Sequence, residues 1–228
     1  MTIFEYSGVG GRKVNQDFLA HATMDEKHAV FIVADGMGGY SHGEVAAQVA
    51  AEAIKDFVEE NYKQLEPEGL LREAISFANE SISIKRIAMH VKQMGTVIVV
   101  AYVCEDTCWI AWVGDSRVYV MRDGKPIFQT EDHSLINELR QVNTLKAADL
   151  KKYSAIVTRS LMGENENAEP DIQSIPIQEG DSIWLCSDGV HKELPIYWMP
   201  EDDAELKAFL DGQNKHLSDN YTLIKITL

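Results

Sequence analysis

No stretch of this 228-residue sequence approaches the roughly 18 to 20 uninterrupted apolar residues of a membrane-spanning helix. The opening Met1-Thr2-Ile3-Phe4-Glu5-Tyr6 likewise lacks the basic region and apolar run of an export signal. A cytoplasmic setting without a membrane partner is the expectation. Cysteine is scarce. Cys104, Cys108 and Cys186 are odd in number and lie in apolar, strand-like surroundings, which suits small buried hydrophobes better than a disulfide framework, and the partner pairs of a cysteine metal site are missing. Internal repeats and low-complexity segments are absent, and proline and glycine are dispersed instead of gathered into a linker, so residues 1–228 read as one domain. Basic residues are also few: 21 Lys and Arg face 36 Asp and Glu, a net charge of −15 that argues against nucleic-acid binding, which depends on clustered cations. A phosphorylated substrate is not excluded, because carboxylates held close together recruit cations.

Apolar patterning supplies the elements. Ala29 to Ala34 is a short run rich in Val and Ile, suited to a buried strand, that ends abruptly at Asp35-Gly36-Met37-Gly38-Gly39. Ala50, Ala53, Ile54 and Phe57 keep helical spacing, as do Leu71, Ala74, Ile75, Ala78 and Ile82, so two helices present one apolar face each. Val97 to Val103, Trp109 to Val113 and Val118 to Met121, punctuated by Glu105-Asp106 and Asp123-Gly124, read as a β-meander. A mostly helical, polar section from about Asp132 to Ser160 follows, then strands near Ile172 to Ile177 and Ser182 to Cys186, a short helix near Asp203 to Leu210, and a last strand, Tyr221 to Ile226. Strands bracketing a helical pair predict an α+β architecture of stacked sheets with helices outside.

Five aspartates sit at strand ends: Asp35, Asp115 in Val113-Gly114-Asp115-Ser116-Arg117, Asp188 in Cys186-Ser187-Asp188-Gly189, Asp219 in Ser218-Asp219-Asn220, and Asp17 closing Arg12-Lys13-Val14-Asn15-Gln16-Asp17. Singly, each is an ordinary turn residue. Spacing alone does not bring them together.

In order along the chain, Arg12 to Asp17, Asp35-Gly36-Met37-Gly38-Gly39 with Gly43-Glu44, Gly95-Thr96, Gly114-Asp115-Ser116-Arg117, Asp132-His133-Ser134, Ser187-Asp188-Gly189 and Asp219-Asn220-Tyr221-Thr222 resemble the type 2C protein phosphatases, the metal-dependent PPM group. The Met after Asp35-Gly36 is similar to the bacterial branch. The resemblance implies a four-layer α/β/β/α sandwich of two mainly antiparallel sheets, with a flap-like segment at about 132–165. It implies hydrolysis of phosphoserine and phosphothreonine esters by direct attack of a metal-bridging water, on phosphoprotein substrates and opposite a serine/threonine kinase, by a monomer. Asp35 would bridge two cations, the Gly36 carbonyl would bind one, and Asp188 and Asp219 would hold the other. Asp115 with Asp188 matches a third, weaker position, and Asp17 would act through metal-bound waters.

Carboxylate, carbonyl and water ligands without His or Cys select hard ions, so Mn²⁺ or Mg²⁺ is the predicted cofactor, as two or three ions. Arg12 is the candidate guanidinium for phosphate, since its planar fork grips two oxygens at once. Arg117 reads as structural, Gly95-Thr96 as packing, and Asp132-His133-Ser134 as a helix cap. Tyr40 stands where bacterial members usually carry His, which leaves Tyr40, His42 and metal-bound water as alternative proton donors. Gln16 replaces a frequent Glu, and Leu161-Met162-Gly163 carries one residue more than the usual Leu-Gly. A binding module that retains the fold without turnover and a small-molecule phosphatase are the alternatives, because substrate choice resides in the flap and loops.

Overall fold

The computed structural model describes the whole chain apart from residues 38–41, 142–152, 154–155, 165, 195 and 215. Among the described residues ten strands carry the architecture: β1 Thr2–Gly8, β2 Asp17–Thr23, β3 His28–Gly36, β4 Thr96–Cys104, β5 Thr107–Val113, β6 Arg117–Arg122, β7 Lys125–Gln129, β8 Asp171–Pro176, β9 Ser182–Cys186 and β10 Tyr221–Thr227. The helices among the described residues are α1 Gly43–Asn61, α2 Pro67–Ala88, α3 Leu135–Gln141, α4 Asp188–His191 and α5 Asp203–Gln213, with a 3₁₀ turn at Ile196–Trp198. They assemble into two five-stranded antiparallel sheets, ordered β1-β10-β9-β6-β7 and β2-β3-β4-β5-β8.

Alternation along β3 and β4 explains the layering. Val30, Ile32, Ala34, Ile98 and Val100 point toward α1 and α2, where they join Ala46, Ala50, Ile54, Leu71, Ile75 and Ile82 in one core. Phe31, Val33, Val99 and Ala101 point the other way, into a second core shared with Val118, Val120, Leu185 and Ile224 of the facing sheet. Burial on both faces is why these strands read as unbroken apolar runs. A third cluster packs Leu206 and Leu210 of α5 against Trp184, Tyr221 and Leu223, completing the four layers. Every helix-spaced residue named for α2 is buried, while Ala53 and Phe57 of α1 are only partly so. Alanines at 46, 47, 50 and 51 let α1 lie close against the sheet. Truncating the fully buried Ile54 to Ala should cost about 2–5 kcal/mol. Pro67 occupies the first turn of α2, where its missing N–H has no helical partner to lose.

One expectation requires correction. The predicted meander is two hairpins in different sheets: β4–β5 belongs to one, β6–β7 to the other, and the chain crosses between them at Gly114–Ser116. Gly114 makes the crossing possible with φ +117°, a conformation reserved for glycine, and a Cβ there would collide with Val97. Of the section expected to be mostly helical, the described residues show α3, and residues 142–152 and 154–155 lie outside the described set. After that gap Val157 bridges Ser134 and Leu161 bridges Thr96 as isolated strand-like contacts. The three cysteines are free, with Cys108 and Cys186 buried. Among the described residues no helix is long and apolar enough to cross a membrane.

Candidate metal centre

The sandwich brings the aspartates to one end. Asp17 opens β2 and pairs directly with Asp35 near the end of β3, so two carboxylates face each other across the ladder. Asp188 begins α4 just past β9, Asp219 lies just before β10, and Asp115 sits in the crossover after β5. Asp35 feels the charges of Asp17, Asp188 and Asp115, and Asp17 those of Asp188 and Asp219.

Backbone and neutral side chains build the cradle. Asn220 clasps the loop between β1 and β2 at three points: its Oδ1 accepts from the Gln16 amide at 2.9 Å, and its Nδ2 donates to the carbonyls of Val9 at 2.8 Å and Val14 at 3.1 Å. The Gln16 carbonyl in turn accepts from the Gly36 amide at 3.0 Å, and its Nε2 donates to Glu44 at 3.2 Å. Gly36 admits no side chain, because a Cβ would be driven into the backbone of Gly43. Thr96 Oγ1 donates to the Asp35 carbonyl at 2.7 Å, and the Thr96 backbone pairs with Leu161, so the packing role read for Gly95-Thr96 extends to fixing β3 behind its acid. Ser187 Oγ donates to Asp17 Oδ2 at 2.7 Å while accepting from the Thr222 amide at 2.9 Å.

Electrostatics show what the cradle holds. Burial, opposed only in part by hydrogen bonds from Ser187 and Thr222, pushes Asp17 up to about 7. Burial and then repulsion from Asp17, Asp188 and Asp115 hold Asp35 well above the carboxylate range. Burial likewise raises Asp115 despite a neighbouring Lys192. Asp188 goes the other way: burial opposes ionisation, but the charge and hydrogen bond of Lys192 outweigh it. Lys192 Nζ stands 2.7 Å from Asp115 Oδ2 and 2.8 Å from Asp188 Oδ2. His191, next along the same turn, hydrogen-bonds the Asp115 carbonyl through Nε2 at 2.8 Å, and burial lowers it to about 4.

Arg12 lies at the rim, its Nε and one terminal nitrogen donating to Asp219 at 2.7 and 2.6 Å, with both side chains partly solvent-exposed. Arg117 forms the comparable bidentate pair with Asp132, at 2.7 and 2.9 Å, in a more buried setting. Ser134 Oγ accepts from the Asn137 amide at 3.4 Å at the start of α3. His133 does something the sequence did not suggest. Its Nδ1 accepts from the Gly114 amide at 3.1 Å, its own amide donates to the Gly114 carbonyl, and its ring stacks on Trp112, which locks the crossover carrying Asp115. His42 precedes α1 in a left-handed conformation, with a buried Nδ1 that has no hydrogen-bond partner among the described residues; Tyr40 lies outside them.

The donor set suits a hard divalent ion. The buried carboxylates of Asp17 and Asp35 repel each other and form no ion pair with a basic side chain among the described residues, the condition a cation relieves. No three His, Cys, Asp or Glu side chains among the described residues close on one point as a complete ligand set. Magnesium-like ions do not demand that, since one or two carboxylates with several waters suffice. A cavity of about 390 Å³ lined by His28, Glu105, Ile177 and Leu228 lies at the opposite end of β3 and contains none of these aspartates.

Fold and site together define a metal-dependent phosphoprotein hydrolase. A family model described as protein phosphatase 2C matches residues 8–225, and the chain belongs to that family. A serine/threonine phosphatase of Listeria innocua is 34% identical over 182 residues, covering 77% of this chain and 72% of its own. The solved serine/threonine phosphatase of S. agalactiae is similar with TM-score 0.85 and 26% identity over 100% of this chain and 99% of that one. That of Staphylococcus aureus gives TM-score 0.84 at 25% identity over 99% and 94%.

Proposed function

We propose that this chain hydrolyses phosphoserine and phosphothreonine esters of proteins with two Mn²⁺ or Mg²⁺ ions held by Asp35, the Gly36 carbonyl, Asp188 and Asp219. The observation that carries this reading is the meeting of acids from β2, β3, the start of α4 and Asp219, two residues before β10, at one end of the sandwich. When bound, the ions supply an activated water and neutralise charge developing at phosphorus.

The chain's own groups do the rest. Asp35 stays close to Asp188 because the β2–β3 ladder and the Thr96 hydrogen bond fix its backbone. Asp17, anchored by Ser187, orients solvent behind Asp35 and is a reserve site for a proton. Arg12 binds and orients the phosphoryl oxygens. Its pair with Asp219 is half-exposed, and such pairs contribute only about 0–1 kcal/mol, so the guanidinium transfers to a phosphate at little cost. Of the two nearby side chains considered as proton donors, His42 is the described one, at the foot of α1. A cytoplasmic monomer opposing a serine/threonine kinase is the setting this reading implies.

Phosphate release from a phosphothreonine peptide, with and without Mn²⁺, tests it beside Asp35→Asn. Activity should require added metal and fall by at least a hundredfold in the variant. Equal turnover after chelation would remove the mechanism. An intact, metal-loaded chain that releases no phosphate would instead be a binding module.

A further inference from the structure

The Asp115–Asp188 corner already contains a cation that belongs to the chain. Lys192 follows Asp188 by four residues, one turn of α4, and its amide donates to the Asp188 carbonyl at 2.9 Å, so the lysine stem rises on the same face as that carboxylate. Its ammonium lies 2.7 Å from Asp115 Oδ2 and 2.8 Å from Asp188 Oδ2, bridging acids 73 positions apart in sequence (188 − 115). The Asp115 side chain is 9% exposed, and the only ion pair it makes among the described residues is with Lys192. Its carbonyl is held by His191 and its preceding glycine by His133, so the acid cannot swing away to solvent.

We propose that the Lys192 ammonium is a built-in cation standing where the family resemblance places a third metal, leaving this chain two divalent ions and making Lys192 a positioning residue for Asp188. The inference rests on the two-ion reading above. A compact ammonium with three donors satisfies two carboxylate oxygens at hydrogen-bonding distance. A divalent ion at the same corner would sit about 2 Å from those oxygens, in the volume Lys192 Nζ now occupies, with like charge against it. Both cannot be accommodated. The covalent cation is always present, and its high effective concentration lets it compete with a weakly held ion.

Counting Mn²⁺ tests this without reference to turnover, by calorimetric titration and by the electron paramagnetic resonance signal of free Mn²⁺. The parent should saturate at two ions per chain. Lys192→Met, which keeps most of the stem and removes the charge, should saturate at three, and Lys192→Arg should remain at two. Adding Asp115→Asn to Lys192→Met should return the count to two. A parent that takes three ions, or a Lys192→Met variant that stays at two, overturns the proposal. Should Lys192→Met fail to fold, Asp115→Asn alone decides: a count unchanged at two supports a lysine-filled corner, and a fall from three to two refutes it. No Mn²⁺ binding by the folded parent would instead sink the two-ion reading, so the failures are separable.

Discussion

Asp17→Asn should stabilise the metal-free protein and weaken its response to metal. Asp17 is buried, directly opposite Asp35 in the β2–β3 ladder, and displaced from 3.8 to about 7 in the folded state. A carboxyl raised in this way favours folding below pH 4 and loses that advantage as pH rises through 7. At pH 8 the group is ionised in both states, and the displacement corresponds to ~4 kcal/mol against folding. Asparagine removes the charge while its Oδ1 still accepts the Ser187 proton, though it loses part of the anionic strength of that bond. A net gain of ~3 kcal/mol is expected, which for a chain of this size is roughly 6–12 °C in melting temperature. Thermal unfolding at pH 8 in EDTA and again in saturating Mn²⁺ provides the assay. The variant should melt higher in EDTA, and its rise on adding Mn²⁺ should be smaller than the parent's. A variant that melts at or below the parent in EDTA would refute the claim that these acids oppose the fold that holds them.

Other perturbations follow from the same geometry. His191 is lowered to about 4 by burial, so stability present above pH 6.5 should be lost as pH falls toward 4, by ~3 kcal/mol; urea midpoints of His191→Gln in EDTA should decline less steeply over that window. Gly114→Ala places a Cβ at φ +117° against Val97 and should cost about 2–4 kcal/mol, read as a lower urea midpoint with unchanged slope. Arg117→Leu leaves Asp132, whose side chain is 12% exposed, without its bidentate partner; a loss of about 2–3 kcal/mol is expected, and adding Asp132→Leu should restore most of it.

The parts of this fold that could be read in the sequence are those where a periodicity meets a two-sided environment. Leu71, Ala74, Ile75, Ala78 and Ile82 announce α2 because the helix is wet on one face and dry on the other. The unbroken run of β4 announces a strand because both of its faces are covered. Sheet membership was not legible: β5 and β6 look like neighbours in a meander, and what separates them is a single glycine with positive φ, whose handedness no apolar pattern records. The site divides similarly. Its aspartates stand in recognisable turns, whereas the clasp formed by Asn220 and the lysine bridging Asp115 and Asp188 depend on through-space meetings across 77 to 211 positions. Lys192 carried one local clue, its four-residue spacing from Asp188, but a helix of a single turn gives too little periodicity to show it.

Acids at the ends of strands are costly for a reason that also makes them useful. Like charges directly opposed in a ladder destabilise it, and Asp17 and Asp35 are so opposed, yet the six pairs beyond them, Phe18–Ala34 to Thr23–Ala29, continue unbroken into two apolar cores. Those cores fix the backbone, so the carboxylates cannot relax apart as they would on a mobile loop. Free energy that the fold spends in holding them together is recovered when a divalent ion enters. Metal affinity and metal-free instability are therefore two expressions of one repulsion, and a substitution that eases the second must weaken the first.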